Sequence, residues 1–165
     1  MGTKEDVGRV AKKVARILPG IGSYQDKEAA RQADKELRIR ICGRLDMLLG
    51  SVESLKTEVA KRGEYRNLGG LEDLSRHLEK LSRWLRFASG GYAPVFSETK
   101  VDEDALNTLY EYDLDLCEIV AMVESAVKMA IEDKKVVPSR DSIDQIRKHL
   151  WSMEEKLRYR QSSFK

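Results

Sequence analysis

Leu71, Leu74, Leu78, Leu81, Leu85 and Ala88 fall alternately three and four residues apart, with no position missed. That rhythm follows the turn of an α-helix and lines one of its faces with leucine. A leucine face of this length persists in water only where another apolar surface covers it. The same rhythm recurs along the chain. Val7, Val10, Val14 and Ile17, with Leu18, carry it over about residues 5–18. Ile41, Leu45, Leu48, Val52, Leu55 and Val59 keep a coiled-coil-like seam in a helix expected from about Tyr24 to Arg62. Ile143, Ile146, Leu150, Met153 and Leu157 carry it through a last helix, from about Ser139 to Arg160. The leucine helix itself is expected from about Gly70 to Ala88, and Trp84 widens its face.

A further helix is expected from about Asp102 to Asp133. It opens on Asp102, Glu103 and Asp104, acids that favour a helix N-terminus. Its second half, LCEIVAMVESAVKMAI, is apolar nearly all round, as in a helix buried on several sides. The breaks fall between these segments. Pro19, Pro94 and Pro138 interrupt helix, Gly63 suits a C-terminal cap, and SGGYAPVFSETK (89–100) reads as a loop. Val95-Phe96 and Val136-Val137 are too short for strands. The fold class is therefore all-α. The expected architecture is an elongated antiparallel bundle of four main helices plus an N-terminal amphipathic helix, in a single domain over 1–165. The helix from Tyr24 would run about 58 Å, with Gly43 and Gly50 as points where it bends.

Charge narrows the function classes. Charged residues make up 35% of the chain, as expected of long solvated helices, yet 30 Lys and Arg against 28 Asp and Glu give no pointer to nucleic acid. The charge is unevenly shared. Residues 102–133 hold ten acids and one lysine, and 139–165 hold seven bases and four acids. Either basic helices pack beside the acidic one, or the acidic one is offered to a partner. No leader pattern opens the chain, and no apolar run reaches the roughly 18 residues of a membrane span. Cys42 and Cys117 sit among helical apolar residues without metal-type spacing; two buried free thiols fit a reducing cytoplasm.

The segment LPGIGSYQDKEAARQADKELR (18–38) has two readings. Gly20, Ile21, Gly22 and Ser23 at a helix N-terminus could turn backbone N–H groups toward an anion, with Lys27 and Arg31 nearby. The stronger reading is structural: Ser23 is a good N-cap and the glycines let the chain reverse after Pro19. No strand precedes the turn and no P-loop lysine follows it. Beyond the turn, Lys27, Arg31, Lys35 and Arg38 form one basic stripe, read as a solvated face or as a docking strip for an acidic partner such as the acidic helix of the same or another copy. Gly22, Tyr24, Glu28, Arg31, Asp34, Lys35 and Arg38 resemble a segment of a family of uncharacterised prokaryotic helical proteins, in which a glycine-tyrosine turn precedes an E-x-x-R-x-x-D-K-x-x-R helix. The resemblance covers about 20 residues and implies a shared structural role, with no catalytic residue to carry over.

Residues with reactive chemistry form no pattern. His77 and His149 have Leu74 and Ile146 three residues before them, where a di-iron bundle needs glutamate. No metal, cofactor or catalytic residue is therefore assigned, and the histidines are read as bundle-edge residues. Asp113 falls in the Leu106–Leu109–Leu116–Val120 seam and needs a partner there, or else points outward. Trp84, Trp151, Tyr110 and Tyr112 read as core or core rim. The expected function is a non-enzymatic helical scaffold or adaptor, self-associating as a homo-oligomer or holding an unidentified protein partner. Leu116, Val120, Val123 and Val127 are its expected contact, rimmed by the 27–38 stripe. A second expectation is a peripheral anion binder using Arg9, Lys12, Lys13 and Arg16 with that stripe. A membrane surface would be held weakly by one such short helix and better by several, and nucleic acid is the less favoured anion.

Overall fold

The computed structural model describes residues 12, 13, 16, 27–87, 103–132 and 138–163. Four long helices account for most of them: α1 (Lys27–Lys61), α2 (Leu68–Phe87), α3 (Glu103–Glu132) and α4 (Arg140–Ser163), with one 3-10 turn at Tyr65–Asn67. No strand occurs among the described residues, and no helix among them is long and apolar enough to cross a membrane. Positions 12, 13 and 16 are helical; the rest of the expected N-terminal helix lies outside the described residues.

Local chemistry sets the helix ends. α1 stops where Gly63 takes a φ of 71°. The Gly63 N–H bonds to the Ala60 carbonyl at 3.0 Å and the Glu64 N–H to the Val59 carbonyl at 3.1 Å, which satisfies two carbonyls that the helix end leaves open. α4 starts at a serine cap, with the Ser142 N–H donating to Ser139 Oγ at 3.1 Å.

The chain makes two helical hairpins, α1–α2 and α3–α4, each antiparallel. Lys56 pairs with Glu72 and Asp46 with Arg86 in the first, and Asp115 pairs with Lys156 in the second. The hairpins then lie side by side in the same sense. Asn67 meets Pro138, Gly70 meets Ile143, and His77 meets Glu154, so α2 and α4 run parallel. α1 packs on α3 in the same way, through Arg44 and Glu124. The antiparallel order expected from the sequence thus holds within hairpins, and parallel neighbours join them. Gly70 marks a close approach: a Cβ there would come within 3.1 Å of Ile143 Cγ2.

One continuous core fills the space between the helices. Leu37, Ile41, Leu45, Leu71, Leu74, Leu78, Leu81, Leu85, Leu116, Leu150 and Met153 are all essentially inaccessible. Each such side chain contributes about 1.5–3 kcal/mol of burial free energy, the main force holding the hairpins together. Leu116, Val120, Val123 and Val127 belong to the same core. They are spent inside the chain, so the contact expected there with a second molecule is corrected. α1 and α4 cover the inward side of this apolar stretch of α3, while Met122 and Met129 stay exposed on its outer side. Asp113 is also fully buried and does not point outward.

Candidate interaction groove

On the outer side of the α1–α2 hairpin, near the start of α1 and the end of α2, lies a groove of about 510 Å³. Helical spacing makes it. Lys35, Arg38, Ile39, Cys42, Gly43 and Asp46 fall three and four apart and share one side of α1, while Leu85 and Arg86 come from the last turn of α2. Cys42 and Leu85 are buried and form an apolar floor. Ile39 stands 61% exposed on the rim. At Gly43 no atom lies within 4 Å of where a Cβ would stand, so the wall is open there.

Three cations and one acid surround this floor. The acid is already engaged: Asp46 Oδ1 accepts from Ser82 Oγ at 2.6 Å, and Oδ2 accepts from Arg86 Nη2 at 2.6 Å. Arg86 is thereby paired with Asp46, and three cations against one acid leave the rim net positive above apolar carbon and sulfur. Burial pushes the Cys42 thiol above its ordinary value against the opposing pull of Arg86, and Sγ donates to the Ser82 carbonyl at 3.5 Å. A low thiolate fraction and a tied proton suit a floor better than a reaction centre.

A second polar cluster sits between α2 and α4. Glu154 has a side chain only 1% exposed, yet three donors converge on it. Oε1 accepts from Lys80 Nζ at 2.8 Å and from Arg158 Nη2 at 2.5 Å, and Oε2 accepts from His77 Nε2 at 2.8 Å. Burial raises the pKa of this carboxyl, but the bonds from Lys80, Arg158 and His77 outweigh burial and hold it down at about 2. The imidazole also meets the Trp151 ring edge-on, 5.2 Å between centroids. A cavity of about 310 Å³ adjoins the cluster, lined by Asp73, Arg76 and Arg147 with His77, Lys80, Trp151 and Glu154. The arrangement holds the imidazole in a fixed orientation against Glu154.

Of the residues singled out in the sequence, Lys35 and Arg38 come together in the groove. The Lys27 and Arg31 side chains, and Arg9, lie outside the described residues. Lys12, Lys13 and Arg16 are exposed. Ile39, Asp46 and Arg86 were not anticipated; an isoleucine one turn beyond Lys35 was the available signal, whereas Arg86 is brought there by the hairpin alone. Glu154 was also missed, although it stands four after Leu150 and three before Leu157, on the inward side of α4. His77 is more than a bundle-edge residue, being held by that acid. Trp151 is 55% exposed and packs on the rim, and Tyr112 is buried with its ring stacked 6.3 Å from Tyr159. Cys42 and Cys117 are buried free thiols. Among the described residues no three His, Cys, Asp or Glu side chains gather as a metal site would require. No family model, curated protein or solved structure matches the chain.

Proposed function

We propose that this chain is a non-enzymatic helical docking module, an adaptor of the reducing cytoplasm, that holds an acidic amphipathic helix in the α1–α2 groove. The observation that carries the reading is the pairing of an apolar floor, Cys42 and Leu85, with a rim of Lys35, Arg38 and Arg86. Apolar contact supplies affinity in such a groove, and the charged rim selects the sign of the partner. A labelled three-heptad peptide with leucine along its seam and glutamate outside tests it by fluorescence anisotropy. It is expected to bind, and to bind about tenfold or more weakly to the exposed-site variant Lys35→Ser/Ile39→Ser. Equal binding of a lysine-for-glutamate counterpart, or binding of neither peptide, refutes the reading.

A second reading, peripheral attachment to an anionic surface, is supported by the exposure of Lys12, Lys13 and Arg16 at helical positions. Co-sedimentation with phosphatidylserine vesicles at low and high salt tests it; no binding at low salt ends it.

A further inference from the structure

The groove has a counterpart on the same molecule, and we infer that its occupant is the outward face of α3 from a second copy of this chain. The inference rests on the docking role proposed above and names its partner. Most acids of α3 that lean toward neighbouring helices are already engaged: Asp115 with Lys156 and Glu124 with Arg44. Glu111 and Glu118 point to solvent and pair with no described cation. Beyond them the same face exposes Met122 by 50% and Met129 by 69%. Glu111, Glu118, Met122 and Met129 are seven, four and seven residues apart, so they form one stripe about 27 Å long. Solvent-facing thioethers beside exposed carboxylates make a surface that is acidic and apolar together. Lys35, Arg38 and Arg86 around Cys42 and Leu85 make one that is basic and apolar together.

The two surfaces also agree in spacing. On α1 a cation, Lys35, is followed one turn later by an exposed apolar residue, Ile39. On α3 a carboxylate, Glu118, is followed one turn later by Met122. Laid in the same chain direction, Glu118 meets Lys35 and Arg38, and Met122 reaches Ile39 and the open wall at Gly43. An unbranched thioether adapts to such a space, which a side chain at position 43 would fill. The contact is heterologous. The groove belongs to α1 and α2, and the stripe belongs to α3, which packs on α1 and α4. After a single contact one copy still has its stripe free and the other its groove, so assembly continues past a dimer as a chain or closes as a ring.

Light scattering over a concentration series tests this with two full-length variants, each altered only at exposed residues. Lys35→Ser/Ile39→Ser removes the groove and keeps the stripe; Glu118→Ser/Met122→Ser does the reverse. The native chain is expected to grow beyond a dimer with concentration. Each variant alone is expected to stay monomeric with native helicity. An equimolar mixture is expected to form a one-to-one dimer and stop, because one intact groove and one intact stripe remain between the two molecules. A monomeric native chain that still binds the glutamate peptide through Lys35 overturns this inference and leaves the docking role standing. A monomeric native chain that binds no peptide overturns both. Variants that assemble like the native chain, or a mixture that stays monomeric, overturn the groove-to-stripe contact.

Discussion

Replacing Glu154 by glutamine keeps the shape of the side chain and removes its charge, so it isolates the electrostatic part of the α2–α4 contact. The carboxyl is held at about 2 against an ordinary 4.5, a difference equivalent to at most about 3 kcal/mol. Lys80 and Arg158 are 54% and 64% exposed, so water already satisfies much of what they would lose. That screening reduces the expected cost to about 1–2 kcal/mol, or about 3–6 °C in Tm for a chain of this size. The pH dependence is the sharper signature. A carboxyl with a depressed folded pKa stabilises the fold fully above its unfolded pKa. That contribution declines as the pH falls below about 4.5 and is gone below about 2. Urea unfolding followed by circular dichroism, repeated for both proteins from about pH 7 down to about pH 2.5, gives the difference directly. It should hold steady to about pH 5 and then shrink. A difference that does not change over this range, or a glutamine variant as stable as the native chain, refutes the claim that three donors outweigh the burial of this acid.

Other expectations follow from the helix ends, the thiols and the hairpin contact. Gly63→Ala forces a side chain into a φ of 71° and should cost about 1–2 kcal/mol in urea unfolding. Burial pushes the Cys117 thiol up to about 12, with Asp113 adding to it, and Cys42 is also raised. Cys117 should react with an aromatic disulfide reagent at about pH 8 only as fast as the chain unfolds, and its immediate labelling in native buffer would contradict this. Arg44 and Glu124, at 22% and 33% exposure, should show a coupling of about 1 kcal/mol in a double-mutant cycle, and additive single losses would show that they do not act as a pair.

Periodicity carried the helices because it records a one-dimensional fact, which residues face the core. Leu71 to Leu85 were assigned inward and are inward, and Gly63 and Ser139 cap as their chemistry requires. What periodicity does not record is which helix lies opposite. Leu116, Val120, Val123 and Val127 were expected at a contact with a second molecule, but α1 and α4 both reach them. Exposed apolar surface lies instead on the far side of α3, at Met122 and Met129, which stand outside the seam. The groove was half readable for the same reason. Lys35, Arg38 and Ile39 are neighbours on one helix, whereas Arg86 and Leu85 arrive from 40 or more residues away. Glu154 shows the limit most clearly. A glutamate beside a core methionine reads as a surface residue until His77 and Lys80 of another helix are seen to converge on it.

The parallel joining of the two hairpins poses a problem that leucine alone does not solve. Within a hairpin, a short connection fixes which residues face each other. Between hairpins no short connection does so, and a leucine seam fits nearly as well after a slide of one turn, about 5.4 Å. The polar contacts do not tolerate that slide. Arg44 would leave Glu124, Glu154 would leave Lys80 and His77, and Asn67 would leave the Pro138 carbonyl. A buried Glu154 without its donors is far less stable than one with them, so its main effect is to penalise wrong registers. Replacing Glu154, His77 and Arg44–Glu124 together with apolar residues should then leave a helical, thermally resistant bundle that has lost its single register. Broadened amide resonances with undiminished helicity would show that loss. A sharp, native-like spectrum would show that packing alone sets how the hairpins meet.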